Sequence, residues 1–366
     1  MLSERGNPLL RGLDRYLGIP LVALGGLVKR RRPVPAEIRR IGIVNATAIG
    51  DTVLLSAVAR DIAAAFRQVE TILFSSPGNV TFLRSLDGLA VAPIRISNPR
   101  DAVAALRRAQ LDVVLDFDFW PRIEPVYCML SGASFAAGFR SPGQHRHYWF
   151  DATVEHSPDA HALENFRRLA GVLGVESRSL PRLEPPGLLA TNELPPSPYV
   201  VFHLWPTGVR SELKEWPQER WRRLAEAFVS RGYAVVLTGS PVDAPRTRAF
   251  VEASPGLAER LVDVSGSFDL ARVLDLLCAS RCVVSVNTGV MHMAAAAGVP
   301  TVALNGPTAG LRWGPVGERS ASLDSPLPGC GYLNFGWEYD GKRTDCMQGI
   351  EVEAVLEAAL ELIGKG

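Results

Sequence analysis

Residues 283–308, VVSVNTGVMHMAAAAGVPTVALNGPT, decide the fold because strand, turn, helix and strand follow one another in one short stretch. Residues 283–286 are an apolar run of the length expected for a buried parallel strand, and residues 299–304 form a second one. The alanine-rich residues 291–297 between them have helical composition. A unit of this kind predicts an α/β domain with a parallel sheet.

The turn after the first of these strands has the features of an anion site. A helix that begins just after Thr288 and Gly289 directs its free N–H groups and its positive dipole end to the carboxyl end of the strand. His292 lies in the first helical turn, within reach of the same anion. Ligands of open α/β sheets bind at this edge, so we expect a phosphate-bearing ligand. The alternative is a plain βαβ unit with a capped helix.

A second glycine turn lies far upstream. Residues 41–45 are apolar and predict the first strand, and a helix is expected from about residue 53 to 66. Asp51, after Gly50, therefore lies at or near a helix N-terminus at the end of that strand. One interpretation is an N-cap aspartate, worth about 1 kcal/mol. The other is a carboxylate at the mouth of a cleft, placed to act as a general base.

Strand-like and helix-like segments alternate in both halves of the chain, which predicts two α/β domains with mostly parallel sheets. The proline-rich residues 181–198 separate the halves and have neither period, so they are interpreted as a linker. Two domains joined in this way suggest a ligand cleft between them. The predicted organisation is an extension (1–40), a first domain (41–180), the linker (181–198), a second domain (199–348) and a final helix (349–366) expected to pack back on the first domain.

Composition excludes several classes of protein. The chain has 366 residues, of which 47% are hydrophobic, and its net charge of +1 gives no global field for nucleic acid. Its five cysteines form no CxxC pair, and such an odd, scattered set suits a reducing cytosol better than a disulfide framework. Cys330 and Cys346 could share a site, but no histidine nearby completes a zinc site.

The N-terminal extension has a different character. Residues 16–28, YLGIPLVALGGLV, are apolar but shorter than the about 20 residues that a spanning helix needs. Residues 29–32 are all basic, and Arg5, Arg11 and Arg15 add charge on the other side. We expect a segment that lies on an anionic membrane surface, on the cytoplasmic face, without crossing it. The alternative is an extension packed on the protein body.

Several short motifs occur in one order along the chain. They are Gly50-Asp51-Thr52-Val53-Leu54, Ser131-Gly132-Ala133 with Ala137-Gly138-Phe139-Arg140, Lys214-Glu215-Trp216-Pro217, the turn at Gly239, Thr288-Gly289-Val290-Met291-His292 and Gly306-Pro307-Thr308. In this order they resemble the bacterial glycosyltransferase family 9, the heptosyltransferases that build the inner core of lipopolysaccharide. Each motif alone is weak evidence for the family, but six motifs in the family's order are specific evidence for it.

The resemblance implies two facing Rossmann-like domains of the GT-B type. It further implies a nucleotide-sugar donor held by the second domain, a glycolipid or glycan acceptor held by the first, and inversion at the sugar carbon. Asp51 matches the family's catalytic base. The expected donor contacts are Thr207, Lys214, Ser240, Asn287, Thr288, Gly289 and His292. The expected acceptor contacts are Gly50, Thr52, Trp120, Arg122, Arg140 and Arg146, with His145 and His147 in the same basic and aromatic set.

The residues agree with this chemistry. A carboxylate can take the acceptor proton, while an ammonium and helix N–H groups hold the leaving diphosphate, so neither a metal nor a cofactor is expected. Asp116 and Asp118 superficially form the DxD pair of metal-dependent glycosyltransferases, but they follow a strand of the acceptor-side domain. The chain departs from the family at Asn287, where aspartate is usual, and in residues 45–49, which supply no basic residue.

Two other classes of function stay open. A nucleotide-sugar epimerase of the same architecture would need no acceptor but would need further carboxylates and histidines around the sugar. A non-catalytic homologue would bind nucleotide-sugar or glycolipid without turnover, and Asn287 favours this alternative. Asp51 and Lys214 favour an inverting glycosyltransferase.

Overall fold

The computed structural model describes residues 12, 14–46, 48–83, 86 and 88–365. The chain divides at the Pro181–Arg182 bond into two compact units. Each unit has a parallel sheet covered by helices, which confirms the predicted class of two Rossmann-like α/β domains. The cleft expected between them stays a prediction.

Among the described residues, the first unit has a six-stranded parallel sheet in the order β3-β2-β1-β4-β5-β6. Its strands are β1 (Arg40–Asn45), β2 (Glu70–Ser75), β3 (Ala90–Pro93), β4 (Val113–Asp116), β5 (Phe135–Arg140) and β6 (Ala152–Glu155). Its helices are α1 (Gly18–Val28), α2 (Ile49–Ala65), α3 (Pro77–Leu83), α4 (Pro99–Arg108), α5 (Ile123–Leu130) and α6 (Ala162–Ala170).

The described part of the second unit has a six-stranded parallel sheet too, in the order β12-β11-β10-β7-β8-β9. Its strands are β7 (Tyr199–His203), β8 (Ala234–Thr238), β9 (Leu261–Asp263), β10 (Val283–Val286), β11 (Thr301–Asn305) and β12 (Ser320–Asp324). Its helices are α7 (Gln218–Val229), α8 (Ala244–Glu252), α9 (Leu270–Cys278), α10 (Gly289–Ala296), α11 (Gly310–Trp313) and α12 (Val352–Gly364).

The central strands form because both of their faces are covered. Every residue of β7, β8, β10 and β11 is buried, and continuous apolar runs are what such strands require. The strand order reverses at β1/β4 in the first unit and at β7/β10 in the second. Ligands of open α/β sheets bind where the order reverses, so the loops after these four strands are the first places to look for a site.

The final helix, α12, belongs to the second unit. Val352, Val355, Ala359 and Leu362 are buried in that unit's hydrophobic core, and the helix packs against α7 and β11. Its apolar face is thus taken up by the second sheet, and the expectation that the helix also packs back on the first domain stays a prediction.

Two carboxylates hold the backbone just before the proline-rich linker and in its middle. Asp61 accepts hydrogen bonds from the backbone N–H groups of Arg178 and Ser179 in the first unit. Asp275 accepts the N–H groups of Gly187 and Leu189 in the second unit, at 2.8 and 3.0 Å. A segment without helical or strand periodicity is thus ordered by carboxylates that satisfy its backbone donors.

Helix α1 packs on the first unit along one side only. Val22 is buried, and a Cβ atom at Gly25 would lie 1.9 Å from the Trp149 ring, so the helix needs glycine there to approach that ring. Lys29 and Arg32 form ion pairs with Asp151 at 2.9 and 3.1 Å. Arg5 and Arg11 lie outside the described residues. Among the residues that the structure describes, no helix has the length and apolar character needed to cross a bilayer.

Cys330 and Cys346 form a disulfide, with Cα atoms 5.7 Å apart. The expectation that the cysteines do not form a disulfide is wrong for this pair. Residue spacing could not reveal the pairing, because the two cysteines are 16 residues apart and the segment between them has no helix or strand whose period would set their distance. The remaining cysteines, Cys128, Cys278 and Cys282, are free thiols.

Candidate functional site

Asp51 lies in the first turn of α2, directly after the loop that leaves β1. Its side chain is 3% exposed. The next residue is held from two sides, because Thr52 Oγ1 donates to Asn45 Oδ1 at 2.8 Å and accepts from Asn79 Nδ2 at 2.9 Å. The turn that carries the carboxylate is therefore fixed by hydrogen bonds to the end of β1 and to helix α3.

A buried charged cluster lies beside this turn. Asp118 accepts the N–H of Ala46 at 2.7 Å and the side-chain amide of Asn45 at 3.3 Å, at the end of β1. Arg146 donates to Asp116 at 2.6 Å and to the carbonyl of Pro121 at 2.8 Å. Strand β4 thus ends in a carboxylate pair that anchors both its own loop and the loop after β1.

Burial raises the pKa values of the carboxyl groups in this cluster. The pKa of Asp116 rises to about 7 because it is buried, although Arg146 opposes the shift. The pKa of Glu124 is also raised, by burial and by the neighbouring Asp118 and Asp116. The cluster therefore holds protons more tightly than isolated carboxylates and has Arg146 as its counter-charge.

Most of the predicted acceptor contacts are enclosed in the first unit. Arg146 is completely buried and Trp120 is nearly so, and the buried Arg122 pairs with Asp14 at 2.9 Å. Thr52 is completely buried in the network described above. These four side chains are enclosed within the first unit, and their expected contacts with an acceptor stay a prediction. Arg140 is exposed and pairs with Glu155.

Among the residues that the structure describes, this acidic cluster is the group whose carboxylates could hold a metal ion. The carboxylate oxygens of Asp116, Asp118 and Glu124 lie within 4.8 Å of one another. Arg146 reaches Asp116 and lies 3.7 Å from Glu124, so the guanidinium already supplies positive charge there.

In the second unit, α10 begins at Gly289 directly after β10. Thr288 is its N-cap in an extended conformation, and within the described part of the chain its side chain makes no capping hydrogen bond. It lies 3.1 Å from Ser285 Oγ instead. The Thr288 side chain therefore does not cap the first N–H groups of α10, and the anion site expected there stays a prediction. His292 lies in the same turn and is 5% exposed.

Lys214 comes from the neighbouring loop, after β7. It ends a short 3₁₀ helix, Ser211–Lys214, and its ammonium donates to the carbonyl of Thr207 at 2.6 Å. Gly208 adopts φ +102° beneath it, where a Cβ atom would lie 3.7 Å from Nζ. Because β7 and β10 are neighbours at the point where the strand order reverses, this ammonium and the start of α10 come from adjacent loops.

Two further predicted donor residues flank this pair. Ser240 follows β8, and both its N–H and its hydroxyl donate to Asp243 Oδ2. Asn287 follows β10, and its amide donates to Asn305 Oδ1 and to the carbonyl of Trp313, each at 2.8 Å. The amide at position 287 is therefore a structural donor, a role that sequence reasoning missed.

Sequence reasoning also missed the positioning role of Asn45, Asp118 and Arg146. The sequence signal for this role was the pair Asp116 and Asp118 at the end of the β4 segment. Only the folded chain shows that Asp118 holds the loop after β1. The sequence also singled out Cys330 and Cys346, but it assigned no function to the loop that their disulfide closes.

Comparisons with known proteins agree with the fold described above. The family model described as "Glycosyltransferase family 9 (heptosyltransferase)" matches residues 104–329. Lipooligosaccharide heptosyltransferase 2 of Haemophilus influenzae is 36% identical over 111 residues, which is 30% of this chain and 32% of that protein. Lipopolysaccharide heptosyltransferase 1 of Pseudomonas aeruginosa is 36% identical over 135 residues, 37% of this chain and 36% of the relative. The alignments thus span about a third of the length of these curated relatives.

Solved structures match over almost the whole chain. The ADP-heptose lipopolysaccharide heptosyltransferase II of Escherichia coli has a TM-score of 0.72 at 19% identity, covering 90% of this chain and 99% of that one. A family 9 glycosyltransferase from Veillonella parvula has a TM-score of 0.76 at 17% identity, covering 92% and 100%. These likenesses show the shared GT-B fold. Since the family model also covers more than half of the sequence, the chain belongs to glycosyltransferase family 9.

Proposed function

We propose that this protein is an inverting glycosyltransferase that moves a sugar from a nucleotide-sugar to a lipopolysaccharide-core or related glycolipid acceptor. The observation that carries the proposal is the placement of Lys214 and of the start of α10 on the loops that follow two adjacent strands, β7 and β10, of the second unit. The names of the relatives make ADP-heptose the first donor to test.

The second unit holds the donor diphosphate. The free N–H groups at Gly289 and the next residues point at its oxygens, and Lys214 adds a full positive charge. Thr207 keeps the Lys214 ammonium in place through its carbonyl. When the bond between the sugar and the diphosphate breaks, the negative charge that develops on the leaving oxygen is stabilised by groups already in position.

Asp51 of the first unit acts as general base. It takes the proton of the acceptor hydroxyl as that oxygen attacks the anomeric carbon of the donor sugar from the side opposite the diphosphate. One carbon–oxygen bond forms while the other breaks, so the configuration inverts. The hydrogen bonds at Thr52 hold the turn that presents Asp51. On the acceptor side, the partly buried Gly50 and the exposed Arg140 are the more accessible of the candidates for contacts.

The reaction needs no metal ion in this proposal. Lys214 and the helix N–H groups supply the positive charge that a divalent cation would otherwise bring to the diphosphate. The acidic cluster in the first unit uses Arg146 as its counter-charge and holds the loops after β1 and β4. Full turnover after treatment with EDTA would agree, and recovery of lost turnover on adding a defined cation would contradict it.

The N-terminal segment attaches the protein to the cytoplasmic face of a membrane. Helix α1 and the residues before it expose a row of apolar side chains, with Leu24 62% and Leu27 83% exposed. Arg30 and Arg31 are exposed directly after the helix. An apolar face beside cationic groups suits an anionic bilayer surface, where a lipid-linked acceptor is found.

The test is a transfer assay with ADP-heptose and a lipopolysaccharide acceptor that lacks heptose, run beside UDP- and GDP-sugars. Transfer that requires the acceptor, with inverted configuration in the product, is the expected result. Isomerisation of the donor without acceptor would show an epimerase instead. Tight donor binding without transfer or hydrolysis for every acceptor would show a non-catalytic homologue.

A further inference from the structure

We infer that Asn79 is a positioning residue for the general base and that it acts through a directed chain of hydrogen bonds. The inference rests on the proposed function, because it takes Asp51 as the base. Asn79 lies in α3 and is absent from every motif and every expected site contact in the sequence. Its role follows from contacts that only the folded chain brings together.

Four buried polar side chains meet beside the turn that carries Asp51. Asn45 and Ser75 are the last residues of β1 and β2, which pair with each other in the first sheet. Thr52 lies in the first turn of α2, and Asn79 lies in α3. Each of the four is at most 3% exposed, so their polar groups depend on one another for hydrogen bonds.

The chain of hydrogen bonds has one direction, and its end at Asp118 sets that direction. The side-chain amide of Asn45 donates to the Asp118 carboxylate at 3.3 Å, so the amide oxygen of Asn45 faces Thr52. The hydroxyl of Thr52 has one proton and donates it to Asn45 Oδ1 or to the carbonyl of Ala48, each at 2.8 Å. Its contact with the Asn79 amide nitrogen at 2.9 Å therefore requires Asn79 to donate.

Ser75 places the same requirement on Asn79. The Ser75 hydroxyl donates its single proton to the carbonyl of Asn45 at 2.8 Å. It lies 3.2 Å from the Asn79 amide nitrogen, which must then donate to it. One proton of the amide is thus directed to the end of β2 and the other to the first turn of α2. Asn79 therefore couples the ends of two strands to the turn that carries Asp51.

The direction of the chain predicts how two substitutions differ. Asn79→Ala leaves the hydroxyls of Thr52 and Ser75 without a donor. Asn79→Asp has a larger effect, since a carboxylate only accepts and draws both hydroxyl protons away from Asn45. In each variant the first turn of α2 loses a fixed contact. A displacement of about 1 Å at a reacting group lowers a rate by up to about a hundredfold.

Transfer kinetics and calorimetry on the full chain test the inference. We expect Asn79→Ala to lower kcat about ten- to hundredfold and Asn79→Asp to lower it further, while KM for the donor and the affinity for ADP stay unchanged. Ser75→Ala removes one of the two acceptors and should lower kcat in the same way but by less.

Asn165→Ala is the control for a loss of stability alone. Asn165 is a completely buried amide of the same unit, and it accepts the N–H of Ser157 and donates to the carbonyl of Ser157 at 3.0 and 2.9 Å. Its substitution should lower Tm as Asn79→Ala does and should leave kcat unchanged. An equal fall of kcat in both variants would mean that Asn79 only stabilises the fold, and would overturn the inference.

Hydrogen exchange measured by mass spectrometry gives a readout that does not need turnover. Asn79→Ala should speed the exchange of backbone amides in residues 48–54, and Asn165→Ala should not. Unchanged exchange in this segment would overturn the inference, and so would faster exchange with an unchanged kcat. Absence of transfer by the wild-type protein would refute the proposed function and the role of Asn79 with it. Normal wild-type transfer with full kcat in Asn79→Ala would refute the inference alone.

Discussion

The side-chain amide of Asn287 donates a hydrogen bond to the side-chain oxygen of Asn305 at 2.8 Å. Asn305 in turn donates to Ser322 Oγ at 2.7 Å, which fixes its own amide orientation. The carbonyl of Trp313, an acceptor only, takes the second proton of Asn287. Asn287, which follows β10, thus joins the end of β11 to helix α11, and Asn305 extends the network to the middle of β12.

We predict that Asn287→Asp destabilises the second unit. A carboxylate would place oxygen against the oxygens of Asn305 and Trp313, and an unsatisfied buried acceptor costs about 1–3 kcal/mol. Urea denaturation measures the loss. Asn192→Asp adds the same charge at an exposed position and serves as the control. Equal stability of Asn287→Asp and wild type would show that the amide is not needed as a donor.

We predict that Asp51→Asn abolishes transfer and leaves donor binding nearly intact. The residue belongs to the first unit, away from the groups assigned to the nucleotide, and loss of a general base costs about a hundredfold or more. Turnover is measured with saturating donor, and donor affinity is measured by calorimetry. Near wild-type turnover would remove Asp51 from the mechanism.

Lys214→Ala and His292→Ala are each expected to weaken binding of the free nucleoside diphosphate. Contacts with a charged group contribute roughly 1.5–3 kcal/mol, so affinity should fall at least about tenfold. Lys365→Ala removes an ammonium near the exposed C-terminus and is the matched control. Unchanged nucleotide affinity in both variants would mean that the phosphates bind elsewhere.

Flotation with liposomes tests the membrane-facing side of α1. The full-length chain should float with vesicles that contain anionic lipid and not with neutral vesicles. Leu24→Glu combined with Leu27→Glu should abolish flotation, because it places charge on the exposed apolar face and leaves the Lys29–Asp151 ion pair in place.

Leu188→Glu alters an exposed leucine of the second unit and is the control for flotation. A chain that starts at Pro33 should also stay in the soluble fraction. Equal flotation of all these proteins, or none for the wild type, would contradict the proposed attachment. Equal flotation would indicate that the basic residues between Arg140 and His147 make the contact with the membrane instead.

Arg146→Met should destabilise the first unit by about 3–5 kcal/mol, since it leaves buried carboxylates without their counter-charge. Burial already raises the pKa values of Asp116 and Glu124 in the folded state. Such groups favour the fold when protonated, so the stability they contribute is present at low pH and is lost as pH rises through their folded pKa values. The loss in Arg146→Met should therefore be larger at pH 8 than at pH 5.

Urea denaturation at the two pH values measures this difference. Arg178→Met removes an exposed guanidinium of the same unit, paired with Glu176, and should change stability little at either pH. A loss for Arg146→Met that does not depend on pH would mean that the carboxyl groups keep their ordinary pKa values.

Hydrophobic patterns in the sequence predicted those elements of the fold that depend on residues close together in the chain. Strand β10 begins and ends at the predicted residues 283 and 286, because a strand buried on both faces is a continuous apolar run. Strand β5 was missed although all of its residues except Arg140 are buried. The edge strands β3, β6, β9 and β12 were missed as well. These edge strands are short, and most of their residues are only partly buried, so packing beside a neighbouring strand defines them rather than composition.

The sequence by itself determined two α/β domains, the glycine turn that carries Asp51 and the helix start at Thr288, since each depends on residues close together in the chain. Only the tertiary structure decided that Arg146 is a buried counter-ion, that Asn287 is a structural donor and that Cys330 pairs with Cys346. These roles depend on partners 16 or more residues away along the chain. Burial and charge pairing at such separations arise only once the sheets have formed.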